Sequence, residues 1–212
     1  MNLFFLVLYG LTALINILSI QGNRYIIRFV SKICLVPILI LLYISKSDSL
    51  SFIFILALFF SWCGDLLLIN PGKWRLYAGI LSFLVSHILY ILVISKLAHN
   101  INVAALIFSF LFILSIEYLL VKKSQIPNNH LFPIIVYGIA IGLLVVFSLQ
   151  VFIYYKNTGS ILLVIGSVSF FISDAVLSYF TLLKKTTRNS RIVVMLSYII
   201  AQACIVIGYM NI

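Results

Sequence analysis

The fold class this sequence predicts is all-α, a polytopic membrane helix bundle with about eight transmembrane helices, and three observations predict it. Hydrophobic residues make up 64% of the 212 and charged residues only 8%, with a mean hydropathy of +1.26, outside the range of soluble globular domains. The apolar residues gather in runs near the roughly 20 that a helix needs to cross a hydrocarbon core of about 30 Å. The runs are continuous, so the short alternating strands of a membrane β-barrel are excluded.

Taken in order, the predicted spans cover residues 2–20, 26–44, 49–69, 75–95, 101–121, 132–153, 159–181 and 192–211. The first lacks a basic leader and a small-residue cleavage site, so it reads as a retained helix. The second holds Lys32 and Pro37, and the third carries the segment SWCGDLLLIN with Asp65 inside it. The fourth contributes SHILY with His87 and Tyr90, the fifth Glu117 and the sixth Tyr137. The seventh carries SVSFFISDAVLSYF with Asp174, and the eighth YIIAQ with Tyr198 and Gln202. Between them QGNRY, SKSD, NPGKW, KLAHN, KKSQIPNNH, YYKNTG and LLKKTTRNSR supply the polar, Pro and Gly residues of turns. The connections are short and nothing is left over, so residues 1–212 read as one transmembrane domain.

A net charge of +10 suggests nucleic acid until the basic residues are placed. Odd-numbered loops hold ten: Arg24, Arg28, Lys73, Arg75, Lys122, Lys123, Lys184, Lys185, Arg188 and Arg191. Even-numbered loops hold three, Lys46, Lys96 and Lys156, and the fourteenth, Lys32, is left inside the second span. This is a positive-inside bias, which places both termini outside the cytoplasm. It leaves no nucleic-acid partner to expect.

An ionisable side chain in the membrane costs about 2.5–3.5 kcal/mol on insertion scales, so its default reading is functional. The candidates are Lys32, Asp65, His87, Glu117 and Asp174, joined by Tyr137, Tyr198 and the deeper Gln202. With the orientation above, polar groups from at least five helices fall in the cytoplasmic half. That shared depth suggests one water-accessible cavity. His87 and Tyr90 are three apart, and Tyr198 and Gln202 four apart, so each pair shares a helix face. Gly64 and Gly166 permit close backbone approach beside the aspartates. The plainer alternatives are a snorkelling Lys32, a core-satisfied His87, an interfacial Glu117, tyrosines as interface anchors and structural aspartates.

Two carboxyl groups facing one cavity can hold one proton between them, so that one acts as general acid and the other as general base for water. No Ser, His and Asp set falls at one locus, and there is no Gly-rich phosphate loop. The three cysteines Cys34, Cys63 and Cys204 lack metal-ligand spacing, and His99 and His130 fall in loops on opposite faces. No metal or other cofactor is expected. A proton-coupled small-solute transporter is the alternative, and it calls for spans broken near the midplane at Pro37 or at Gly138 and Gly142. An intramembrane aspartyl protease also uses two membrane aspartates, but CGD and ISD match its context poorly.

The order of Lys32, GDLLL, SHILY, Tyr137, GSVSFFISDAVL and YIIAQ from the second span to the eighth resembles the YhhN family. Lys32 is followed by Pro37 at a distance of five, where the family has an adjacent Lys-Pro pair. That family includes lysoplasmalogenases, eight-span hydrolases of the vinyl ether bond in alkenyl lyso-glycerophospholipids. The resemblance implies Asp65 and Asp174 as catalytic acid and base. It implies that His87, Tyr90, Tyr198 and Gln202 orient a carboxylate or the glycerol hydroxyls, that Tyr137 lines the substrate site, and that Lys32 neutralises the substrate phosphate. The products would be a fatty aldehyde and glycerophospho-ethanolamine or glycerophospho-choline.

Overall fold

The structure is a computed structural model that describes residues 3–47, 49–69, 72–98, 101–124, 128–182 and 186–212. Among the described residues every regular element is helical: α1 (Leu3–Gln21), α2 (Tyr25–Lys46), α3 (Phe52–Leu68), α4 (Lys73–Ser95), α5 (Val103–Ser124), α6 (Asn128–Tyr155), α7 (Thr158–Leu182) and α8 (Arg188–Met210). Six of them, α1, α2, α4, α6, α7 and α8, contain a stretch long and apolar enough to cross a membrane, and α3 and the apolar part of α5 are shorter. The chain is a multi-pass helical membrane protein.

The helices begin where their caps are and not where the apolar runs begin. Ser51 caps α3 by accepting from the Phe54 amide at 3.4 Å, while its own amide donates to the Tyr43 hydroxyl at 2.9 Å. That fixes the start of α3 three residues inside the predicted span. At α8, Thr187 and Ser190 form a reciprocal capping box, so this helix starts four residues before its apolar run.

Burial is inverted relative to a soluble protein. In α1 the buried positions are Tyr9, Ala13, Asn16, Ser19 and Ile20, spaced three and four apart. The exposed ones include Phe4, Val7, Leu8, Leu11, Leu14, Ile15 and Leu18. A helix that turns its leucines outward and its amide inward is solvated by lipid.

The chain divides into two compact units, Met1–Val93 and Ile94–Ile212. In the first, α1 packs on α2 and α2 on α3. The α1–α2 turn closes with Asn23 in the left-handed region (φ 54°) and the Arg24 amide donating to the Ser19 carbonyl at 2.9 Å, an end that asparagine tolerates. The α3–α4 hairpin is tight: a Cβ on Gly64 would lie 2.6 Å from the Phe83 ring, and one on Gly79 would lie 2.8 Å from Leu68.

In the second unit α5 packs on α6, α6 on α7 and α7 on α8. The α7–α8 seam repeats every seven residues. A Cβ on Gly159 would meet the Gly208 carbonyl at 2.9 Å, and one on Gly166 the Ala201 carbonyl at 3.0 Å. One heptad on, Ser173 Oγ donates to the Val194 carbonyl at 3.1 Å. The partners fall by seven along α8 as they rise by seven along α7, the register of an antiparallel 3.5-residue seam. Small residues there allow the backbones to touch.

Candidate active site

In the first unit the site is built around Asp65, which is almost wholly buried. Lys32 Nζ lies 3.1 Å from its Oδ1, with the lysine side chain 14% exposed. Lys32 is thus drawn in from the rim onto the carboxylate, where a snorkelling side chain would have turned outward. The pair places opposite charges in contact where neither is well hydrated, and such a pair holds only when its geometry is fixed by other bonds.

Pro37 supplies part of that geometry. A proline in a helix has no N–H for the carbonyl four residues back, here that of Ile33. Trp62 Nε1 donates to this same carbonyl at 3.0 Å. Because Ile33 follows Lys32 and Trp62 precedes Asp65 by three, the bond pins α3 to α2 at the level of the ion pair. The helix itself runs unbroken through Pro37.

On the other side of α3 a chain of hydroxyls runs to α4. Ser86 Oγ donates to the Ala57 carbonyl at 2.8 Å, which commits its proton and makes it the acceptor for Ser61 Oγ at 2.7 Å. Ser61 also lies against the Tyr90 hydroxyl, and the chain runs from Ser61 to Ser86 to Ala57. Ser82 Oγ adds a bond to the Phe60 carbonyl at 2.7 Å. Tyr90 is also stacked edgewise on Phe54, and Phe54 against Tyr43. His87 is fully buried with Nδ1 2.6 Å from the Phe83 carbonyl. A carbonyl can only accept, so Nδ1 carries the proton and Nε2 presents the lone pair.

In the second unit the site is built around Asp174. The Tyr137 hydroxyl on α6 donates to its Oδ2 at 2.6 Å. Ser173, its neighbour, belongs to the α7–α8 seam and fixes the rotation of α7 at this level. One turn back Phe170 packs edgewise on Tyr198, with ring centroids 5.8 Å apart. Gln202 Nε2 donates to the Tyr198 hydroxyl at 3.1 Å. The predicted residues thus form two sets: Lys32, Asp65, His87 and Tyr90 lie in the first unit, and Tyr137, Asp174, Tyr198 and Gln202 in the second.

The sequence reading missed Trp62, Ser86 as the partner of Ser61, and Asn16 on α1. Trp62 could have been found four residues from Asp65's flanking apolar run only by asking which donor answers Pro37. Lone serines carry no pattern. The side chains of Glu117, His130, Lys73 and Lys123, and residues His99, Lys184 and Lys185, lie outside the described residues.

Among the described residues no group of His, Cys, Asp and Glu could hold a metal ion. The first unit gathers a carboxylate, hydroxyls, an ammonium and an imidazole, and the second a carboxylate, phenolic hydroxyls and an amide. Fold and site together define a multi-pass membrane protein with two buried intramembrane aspartates, each held by a donor from a neighbouring helix. The chain belongs to the YhhN family, whose model matches residues 27–209, leaving the whole of α1 outside the match. Neither the curated proteins nor the solved structures include a match to it.

Proposed function

We propose that this protein is a lysoplasmalogenase-type ether hydrolase of the cell membrane. Its substrate is an alkenyl lyso-glycerophospholipid, and Asp65 and Asp174 divide the acid and base roles of one reaction. Membership of the YhhN family supports the substrate class. The observation that carries the division of roles is the contrast in partners. Asp65 faces an ammonium at 3.1 Å, the arrangement of an ionised carboxylate, whereas Asp174 faces a phenolic hydroxyl at 2.6 Å, which a carboxylic acid also accepts through its carbonyl oxygen.

In this reading Asp174, protonated, gives its proton to the alkene carbon beyond the ether-bearing one. The C=C electron pair forms the new C–H bond, and positive charge is left on the oxocarbenium unit. Ionised Asp65 stabilises that cation and takes a proton from the water that attacks the ether-bearing carbon. The resulting hemiacetal collapses: its C–O bond to glycerol breaks, the glycerol oxygen gains a proton and the hydroxyl oxygen loses one. One water is consumed per aldehyde released. His87 and Tyr90 hold the first carboxylate's surroundings in place, Tyr198 and Gln202 the second's.

The reading is tested by incubating the purified chain in detergent with alkenyl and acyl lyso-glycerophospholipids. Fatty aldehyde from the alkenyl substrate is the expected product. Fatty acid from the acyl substrate with no aldehyde from the other overturns it. Both termini are placed outside the cytoplasm by the distribution of Lys and Arg. A cysteine introduced beside Arg188 is expected to resist an impermeant thiol reagent on intact cells, and labelling there reverses the orientation.

A further inference from the structure

Asn16 is fully buried in α1, in the part of the chain that the family model leaves out. Its Nδ2 donates to the Arg28 carbonyl at 3.0 Å and to Ser31 Oγ at 2.9 Å. A backbone carbonyl cannot donate, so the amide nitrogen must face α2 and the orientation of the side chain is fixed. Ser31 has already committed its proton to the Ile27 carbonyl at 2.7 Å. What remains is Asn16 Oδ1, a buried acceptor with no hydrogen-bond donor among the described residues. A buried acceptor of this kind calls for a donor, which water or a bound hydroxyl can supply.

What flanks it indicates which molecule. Arg24, Arg28 and Lys32 recur every four residues and so share one stripe of α2. Exposure falls along the stripe, from open Arg24 through half-buried Arg28 to Lys32, which ends on Asp65. Asn16 is bonded at Arg28 and Ser31, one turn or less from the ion pair. Arg28, the Asn16 amide at Ser31 and the Lys32–Asp65 pair therefore come in that order along the helix.

We propose that Asn16 Oδ1 accepts the free secondary hydroxyl of the glycerol unit while the Arg28 guanidinium takes the neighbouring phosphate. The inference rests on the vinyl ether reading and deepens it. In a lyso-glycerophospholipid the phosphate ester, the free hydroxyl and the ether oxygen sit on consecutive carbons, in the same order as the three anchors. A second acyl chain on that hydroxyl removes the donor and adds bulk at a buried site. The subsite thus selects single-chain lipids against two-chain ones.

The test compares alkenyl substrates with the glycerol hydroxyl present, deleted (2-deoxy) or methylated, using the full chain in detergent. The wild type is expected to lose roughly 10- to 100-fold in kcat/KM on the deoxy substrate, the effect of leaving a buried acceptor unpaired. In Asn16→Leu that ratio is expected to fall below about threefold, and a ratio kept at the wild-type value overturns the proposal. Thermal stabilisation by the saturated alkyl ether lipid and its 2-deoxy form reads the same preference without reaction. It also decides the question should Asn16→Leu fail to fold. Wild-type protein that prefers the hydroxyl form in binding but releases no aldehyde supports the subsite and ends the hydrolase reading. Equal turnover and equal binding of the two forms overturns the subsite, the Asn16 oxygen then holding water only. Arg28→Gln is expected to lose at least tenfold on the phosphate substrate and less than threefold on alkenyl glycerol, which lacks the phosphate. Equal loss on both removes Arg28 from the subsite.

Discussion

Asp65 and Asp174 are the same residue type, each buried inside an apolar helix, and the two units of the molecule hold them by different means. In the first unit the carboxylate meets an ammonium, and its helix is located by polar side chains: Trp62 on the Ile33 carbonyl and the Ser61–Ser86 chain. In the second the carboxylate meets a phenol, and its helix is located by the lack of side chains, since Gly159, Gly166 and Gly208 let α7 and α8 touch. The difference teaches that a membrane aspartate can be kept either by compensating its charge or by hydrogen-bonding it. The first suits a group that works as an anion, and the second a group that carries a proton.

The contrast is broken most strongly at Lys32. Lys32→Met leaves Asp65 without its counter-charge, and loss of one partner of a buried ion pair costs about 3–5 kcal/mol. Asp65→Asn in the same chain is expected to restore much of that, as read by thermal unfolding in detergent. Restoration of nothing would mean that the lysine acts by packing alone. Tyr137→Phe is the matching change in the second unit, and a hydrogen bond to a charged or acidic group is worth about 1.5–3 kcal/mol. Its stability loss is expected to be smaller than that of Lys32→Met, and the reverse order would erase the distinction between the two sites.

The smallest effect sharpens the account of α2. Interhelical hydrogen bonds in membranes average about 0.6 kcal/mol and reach about 1.7, so Trp62→Phe is expected to cost that much through the Ile33 carbonyl. Pro37→Ala returns an N–H to this carbonyl, and the Trp62→Phe loss is expected to shrink in that background. A loss of the same size with and without Pro37 would show that Trp62 matters for its ring and not for its donor.

Much of this was legible in the sequence, and the limits have physical causes. Eight helices, their order and the membrane setting follow from hydropathy, because lipid solvation acts on every residue of a span. The two aspartates stand out because an ionisable group is costly there. The partner of Lys32 was not legible, since depth gives only a level and the pairing depends on how α2 and α3 are rotated. Trp62 and Pro37 were each visible, but a side-chain donor answering a proline-freed carbonyl on another helix leaves no spacing to find. Asn16 is not legible, because one amide in an apolar run carries no period. Gly166 stands out beside its aspartate, whereas Gly159 on α7 and Gly208 on α8 take meaning only from the antiparallel register.

The central claim is that the two aspartates do proton chemistry in one reaction, and the most direct measurement is aldehyde release from an alkenyl lyso-glycerophospholipid by Asp65→Asn, Asp174→Asn and the double variant. Asparagine keeps the volume and most of the hydrogen bonding but cannot carry or exchange the proton. Each single variant is expected to lose aldehyde release while remaining monodisperse. The double variant is expected to be little worse than either, because groups acting as a unit are non-additive. Full activity in either single variant would contradict the account and leave that aspartate a structural hydrogen-bonding group.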